Sequence, residues 1–253
     1  MKIRIGLVVA AGLVMMAAAY AGEALTLNFR GDGALPAGIV IAPGARTPEG
    51  LNCTGGRETG TDFCRIPAGL APFTAWPSGT VTLEMTPQWR PDGAGREVLF
   101  CTDAGVLWGL AGSFHLQREG NALRFIVITA TGEILRCSAE NSVEELMDGR
   151  SHTLTATWDT ETGLTLYVDG FRRGTLPGKF TLSDRPQDIY VGNSHILGGA
   201  LENYFPADAV IAAMTISPGA RTDIQPEQPV RAVLYPADHG RNGISYLTPG
   251  IPT

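Results

Sequence analysis

The chain has 253 residues, of which 44% are hydrophobic and 17% charged, so it has apolar material for a sizeable core and too little charge for a disordered chain. Its formal net charge of −6 at neutral pH argues against nucleic acids and anionic membrane surfaces as partners, because both require a basic footprint. The 32 glycines and 17 prolines indicate many turns, which are typical of a fold built from short strands.

The first 21 residues have the three parts of a secretory signal peptide. Lys2 and Arg4 form a basic start, residues 5–19 are an uncharged apolar run, and residues 19–21 form an Ala-x-Ala cleavage site. The run is shorter than the roughly 20 residues that span a membrane, although a retained signal anchor is the alternative. Cleavage leaves a mature charge of 17 − 25, or −8. We therefore expect a mature protein that is secreted, periplasmic or at the cell surface.

Alternating apolar residues predict a series of antiparallel strands through the middle of the chain. A period of two is typical of half-buried strands, and turn residues separate the runs at roughly 8–12-residue spacing. Asp169-Gly170 favours a tight type I′ hairpin, because both positions need positive φ. Residues 123–128 are apolar on both faces and predict a central strand. The clearest alternating runs are residues 80–86, 113–117, 153–158 and 164–168.

The two ends of the chain lack the regular alternation of its middle. A strand at residues 25–29 leads into an irregular, Gly- and Pro-rich stretch over residues 30–79. Residues 210–216 predict a last core strand, and residues 222–253 form a Pro-rich extension with little periodicity. We therefore predict one all-β, two-sheet sandwich domain over residues 22–221, followed by this C-terminal extension.

Four cysteines in an exported chain suggest two disulfides, for which three connectivities can be drawn. Cys53 and Cys64 flank a polar, Gly-rich segment, which favours a local bridge and leaves Cys101 to pair with Cys137. A simple meander between the last two would place them at opposite ends of a sheet, whereas a bridge needs Cα atoms within about 7 Å. A zinc site is the alternative, although no Cys-x₂-Cys pair is present.

Several strand motifs resemble those of laminin G-like jelly rolls in the concanavalin A-like lectin/glucanase superfamily. Residues 79–89 (GTVTLEMTPQW) resemble the strand that opens the centre of the fold, and residues 152–170 (HTLTATWDTETGLTLYVDG) resemble its most specific hairpin. Residues 189–193 and 209–221 are similar to later strands. The resemblance covers about residues 24–221 and implies an antiparallel jelly-roll sandwich. Because its motifs are structural, it says little about the ligand.

Catalytic motifs of enzymes with this fold are missing from the sequence. No Glu-x-Asp-x-Glu strand, lyase string or nucleophile elbow occurs, and Ala212 and Ala213 replace the paired acids of the family's closing strand. We therefore expect a non-catalytic binding module for carbohydrate or a cell-surface polymer. One alternative is a structural protein of the cell surface, which associates with itself or with a larger surface protein. The other is a concanavalin A-like glycoside hydrolase or lyase.

Two Gly-rich loops have the composition of a sugar site, which needs aromatic rings and planar polar groups. The loops comprise residues 102–112 and 193–208, and the alternative is that their aromatic residues only pack the loops against the core. The candidate ligand-binding residues are Trp108, Asn193, His195, Asn203 and Tyr204.

The resemblance also implies a calcium ion held by loop oxygens. Asp103, Asn193 and Asp208 are the candidate ligands. No dense Asp-x-Asp-x-Asp-Gly string supports the site, and solvated acidic residues are the alternative.

Overall fold

The computed structural model describes residues 23–55, 63–90, 95–102, 111–193 and 205–221. Within these ranges it shows fourteen strands in two antiparallel sheets and three short 3₁₀ turns at Ala68–Leu70, Phe73–Ala75 and Glu144–Leu146. The predicted signal peptide and C-terminal extension lie outside the described residues. No helix of the described ranges is long and apolar enough to cross a membrane.

The first sheet contains the strands with the clearest sequence alternation. Val81, Leu83 and Met85, which alternate along one strand, are buried in the core as predicted. With strands numbered in chain order, the spatial order is β1 (Leu25–Asn28), β14 (Ala209–Pro218), β5 (Ser78–Pro87), β10 (His152–Asp159), β11 (Gly163–Val168) and β12 (Phe171–Pro177), with β3 (Leu51–Asn52) paired to β14.

The second sheet ends in a four-stranded meander. Its spatial order is β2 (Val40–Ile41), β4 (Cys64–Ile66), β13 (Ile189–Val191), β6 (Arg96–Thr102), β7 (Phe114–Glu119), β8 (Ala122–Ile128) and β9 (Ile134–Ala139). Residues 123–128 lie in β8, which pairs with β7 on one side and β9 on the other and is buried on both faces, as predicted for a central strand. Residues 30–79 are less irregular than predicted, since they contain β2, β3, β4 and part of β5.

The core lies between the facing sides of the two sheets. Trp158 of β10 is fully buried, and its ring meets that of Phe114 from the second sheet at a centroid distance of 5.1 Å. The indole N–H of Trp158 donates to the carbonyl of Trp76 at 3.2 Å. Gly79 lies directly opposite Trp158 in the β5–β10 register, where a Cβ atom would overlap the indole ring. The sheet therefore needs glycine at this position to accommodate the buried indole ring of Trp158.

The hairpin between β11 and β12 has the predicted turn. Asp169 and Gly170 have φ angles of 51° and 82°, both in the left-handed region that a type I′ turn requires. The Asp169 carboxylate also accepts a hydrogen bond of 2.8 Å from the backbone N–H of Thr153. The turn is thus tied to the adjacent strand β10.

His152, at the start of β10, lies between two carboxylates, and we call these three residues the His152 clamp. Its ring nitrogens are 2.8 Å from Oδ2 of Asp169 and 3.0 Å from Oδ1 of Asp148. Burial opposes protonation of the imidazole, but the two carboxylates outweigh it and raise the pKa of His152. Hydrogen bonds from Arg150 and His152 hold the pKa of Asp148 well below its usual range. The clamp joins β10, the β11–β12 turn and the loop before β10.

One side of the sandwich closes where the edge strands of the two sheets meet. Gly174 of β12 lies against Ser138 of β9, so that a Cβ atom at Gly174 would overlap the Ser138 carbonyl. This approach brings together edge strands that belong to different sheets.

The structure does not support the predicted disulfides. All four cysteines lie in the described ranges, are buried and form no disulfide. Cys101 of β6 and Cys137 of β9 are separated by β7 and β8, about 14 Å at ~4.8 Å per strand, which is too far for a bridge. The Cys53 thiol instead donates to the carbonyl of Leu51 at 3.4 Å. Burial raises the pKa of Cys53, and it raises that of Cys64 to about 12, which favours the neutral thiol.

Candidate functional site

The second sheet has an outer face that points away from the main core. On β7, Phe114 and Leu116 point into that core, so His115, Gln117 and Glu119 project from the outer face. Strand register places residues from six strands in one row across this face. In order from β4 to β9, the row is Arg65, Tyr190, Cys101, His115, Ile126 and Arg136.

A small apolar cluster lies on the outer face, separate from the core. Val98, Cys101 and Tyr190 are buried together there, and the half-buried Phe205 packs against them. The backbone N–H of Val98 donates to the carbonyl of Phe205 at 3.1 Å. Phe205 is therefore held against the outer face by backbone and side-chain contacts.

A cavity of about 600 Å³ lies beside this cluster and is lined mainly by charged side chains. The guanidinium carbon of Arg96 lies 5.2 Å from the centre of the Phe205 ring, a cation–π distance. We call this space the Phe205 cavity. Its lining includes Arg96, Glu97, Glu119, Phe205, Pro206 and Asp208.

Two carboxylates with raised pKa values share the Phe205 cavity. Burial raises the pKa of Glu97, the Arg118 guanidinium at 3.4 Å opposes this shift, and the charge of Asp208 adds to it. Burial also raises the pKa of Asp208, although a backbone hydrogen bond from Gly55 opposes it. Asp208 has a φ of 45°, a conformation that few residues other than glycine adopt. Both acids therefore retain protons to higher pH than exposed carboxyl groups do.

A second cavity of about 390 Å³ adjoins the first and is lined by Arg96, Glu119, Arg124 and Arg136. Glu119 lies 3.8 Å from Arg96 and 3.2 Å from Arg124, whereas exposed Arg136 forms no ion pair with any described residue. We call Arg96, Arg124 and Arg136 the arginine cluster. Burial lowers the pKa of Arg96; Glu119 opposes the shift and the other two arginines add to it. Three guanidinium groups and one carboxylate give this surface a net charge of +2.

His115 lies in the same row as Arg136, but it is buried and uncharged at neutral pH. Burial lowers the pKa of His115 to about 4, and the nearby charge of Arg96 adds to this effect. The positive charge of the outer face near neutral pH therefore comes from arginine.

Most residues predicted for the site lie outside the described ranges: Asp103, Trp108, His195, Asn203 and Tyr204. Asn193 and Asp208 are described, and their neighbours are joined by a 2.8 Å hydrogen bond from the Ala207 N–H to the Gly192 carbonyl. Asn193 is only 1% exposed, whereas Asp208 lines the Phe205 cavity. The described residues contain no group of three or more side chains suited to a metal, so the calcium and zinc hypotheses gain no ligand set there.

The arginine cluster is the part of the site that sequence analysis missed. Its members lie on β6, β8 and β9, far apart along the chain, and no local motif connects them. Arg124 interrupts the apolar run of residues 123–128, and this interruption is the signal that could have marked an outer-face position.

A family model described as the concanavalin A-like lectin/glucanases superfamily matches residues 58–225 of the chain. The matched region contains β4 to β14 and all lining residues of both cavities except Gly55. No curated protein matches the chain in sequence.

Several solved structures are similar in fold at low identity. One is the CBM40 domain of the Ruminococcus gnavus IT-sialidase bound to α2,3-sialyllactose, with a TM-score of 0.48, 14% identity, and coverage of 61% of this chain and 83% of that one. The leech intramolecular trans-sialidase has a TM-score of 0.49 and 16% identity, with coverage of 62% of this chain and 23% of that one. The NanB sialidase of Streptococcus pneumoniae has a TM-score of 0.48 and 14% identity, with coverage of 63% of this chain and 25% of that one. With TM-scores below 0.5, these similarities carry no information on what this chain binds.

Proposed function

Because this chain belongs to the concanavalin A-like lectin/glucanase superfamily, we propose that it is a carbohydrate-binding module whose ligand occupies the outer face of the second sheet. The observation that carries this proposal is the Phe205 cavity. Its volume of about 600 Å³ falls in the range of small-molecule sites. It combines one aromatic ring with fork-shaped polar groups, which are the two components that a sugar site requires.

The two components have separate roles in the proposed site. The half-buried Phe205 ring offers an apolar surface against which the C–H groups of a sugar can pack. Arg96 and Glu119 supply donors and acceptors for neighbouring hydroxyl groups, and their mutual ion pair at 3.8 Å holds them in place. A sugar ring held in this way contacts both an apolar and a polar wall.

We also propose that the module acts outside the cytoplasm, where polymers of the cell surface are available. The predicted signal peptide supports this location. The assembly alternative has less support, since Val40 and Ile134 are the only large hydrophobic side chains exposed in the described ranges. Two scattered side chains do not form the contiguous apolar patch that an assembly surface needs.

The first experiment screens the chain from Gly22 on a glycan array, with and without calcium, and measures each hit by titration calorimetry. We expect Phe205→Ala to weaken binding about fivefold or more, since an aromatic contact contributes about 1 kcal/mol. Phe180→Ala is the matched control, because Phe180 lines different cavities. Absence of any bound glycan, or equal weakening by the control, would contradict the proposal.

Glycoside hydrolysis is a second candidate function, and the pair of carboxylates favours it. Glu97 and Asp208 share one cavity, and their raised pKa values suit a proton donor. The test incubates each bound oligosaccharide with the chain and with the Glu97→Gln variant, and follows chain length by mass spectrometry. Shortening by the wild type alone would support hydrolysis; intact oligosaccharide in both samples would leave binding as the function.

A further inference from the structure

We infer that the ligand of the outer face is an acidic sugar, whose carboxylate binds the arginine cluster. This inference rests on the proposed function and adds the chemical class of the ligand. Its starting point is the local charge of +2 on a chain whose net charge is −6. Positive charge concentrated in one cavity of an acidic protein attracts anions to that cavity and away from the remaining surface.

The strand register brings the three guanidinium groups together. Arg124 of β8 pairs with Ser138 of β9, and Arg136 lies two residues before Ser138 on the same face. Such diagonal neighbours have Cα atoms about 7–8 Å apart, within reach of long side chains. Arg96 lies two strands away on β6, about 10 Å across the sheet, so its side chain can approach from the opposite side.

The charges in the cavity leave room for one further anion. Glu119 is shared by Arg96 and Arg124, and Arg136 has no ion pair within the described ranges. Guanidinium groups bind carboxylates through two parallel hydrogen bonds, and arginine suits this geometry better than lysine. A ligand carboxylate would therefore fit beside Arg136 and Arg124, opposite Glu119.

Arg96 connects this anion site to the proposed sugar site, because it lines both cavities. A sugar ring against Phe205 would thus have an adjacent carboxylate, on the same or the next sugar unit, within reach of the arginine cluster. The geometry favours an oligosaccharide that extends from β6 towards β9 across the outer face.

The test compares glycans that differ only in charge. Tetragalacturonate is paired with its fully methyl-esterified form, and 3′-sialyllactose is paired with lactose, while a sulfated oligosaccharide is paired with its desulfated form. We expect at least one carboxylate-bearing glycan to bind about tenfold or more tightly than its neutral counterpart. Equal binding of each neutral counterpart, or preference for the sulfated glycan alone, would overturn the inference and leave the proposed function intact. Absence of binding to every glycan would overturn both.

Variants of the arginine cluster connect the preference to these residues. Arg136→Met should weaken binding of the acidic glycan about fivefold to tenfold and leave the neutral one unchanged, because a hydrogen bond to a charged group is lost. Arg136→Lys keeps the charge but cannot form two parallel hydrogen bonds, so its affinity for the acidic glycan should lie between those of the wild type and Arg136→Met. Arg173→Met is the control, since Arg173 is an exposed arginine of β12 in the other sheet, paired with Glu145 at 2.8 Å. Equal weakening by the control would contradict the assignment.

Discussion

Gly79 lies opposite Trp158, where the sheet has no room for a side chain. We expect Gly79→Ala to reduce the free energy of unfolding by about 1–3 kcal/mol, because the added methyl must displace a fully buried indole ring. Urea denaturation followed by tryptophan fluorescence measures the change. Gly69→Ala is the control, since a Cβ atom at Gly69 meets no atom within 4 Å. The prediction fails if the two variants unfold at the same urea concentration.

The four cysteines offer a second test at the level of single residues. Because they are buried in the folded chain and burial raises the pKa of Cys53, Cys64 and Cys137, we expect little labelling by iodoacetamide near neutral pH. Labelling in guanidinium chloride should add four carbamidomethyl groups without prior reduction. Mass spectrometry counts the added groups. One disulfide would allow only two additions, and two disulfides would allow none.

The His152 clamp makes the connection between three elements depend on pH. The raised pKa of His152 means that its stabilising contribution is complete below the unfolded value of about 6.5 and is lost as pH rises through the folded value. The lowered pKa of Asp148 means that its contribution is present above about 3.8 and is lost as pH falls towards the folded value. The clamp is therefore strongest between about pH 4 and pH 6.5.

A comparison of the wild type with His152→Gln tests this pH window. We expect the difference in free energy of unfolding between them to be larger at pH 5.5 than at pH 8.5, because glutamine has no charge to lose. Chemical denaturation at a series of pH values gives the measurement. Lys179→Gln, which removes a fully exposed ion pair with Glu161, should show a small difference at both pH values. A constant difference for His152→Gln would contradict the clamp's charge.

Sequence periodicity predicted the elements whose alternating residues face the core. The segments of β5, β7, β10 and β11 follow this rule, and the resemblance located β13 and β14 as well. The rule fails where a strand has no simple apolar face. Edge strand β12 has partly exposed residues alternating with exposed ones over most of its length, so its sequence lacks an apolar stripe. Strand β8 also lacks an alternating stripe, but its run of apolar residues on both faces predicted it correctly.

For the whole molecule, the sheet order determines which distant residues meet, and this explains what sequence analysis could not predict. Cys101 and Cys137 appeared to be a plausible pair by elimination, but β7 and β8 separate them. The same order gathers Arg96, Arg124 and Arg136, which lie on three strands and share no motif. The candidate loop aromatics Trp108 and Tyr204 were predicted from composition alone and lie outside the described ranges, whereas Phe205 of the second loop is described. Of the predicted ligand and metal residues within the described ranges, Asn193 and Asp208, only Asp208 lines a cavity of the outer face.

The contact between β12 and β9 also affects the tendency of the protein to aggregate. An uncovered strand edge offers unpaired N–H and carbonyl groups to a second chain and can template fibril growth. In this sandwich the edge strands β12 and β9 cover each other at Gly174. They can approach this closely only because the residue there has no Cβ atom. Enlarging that one residue would separate the edges. Self-recognition between copies, rather than loss of the ligand, would then be the first consequence for the protein.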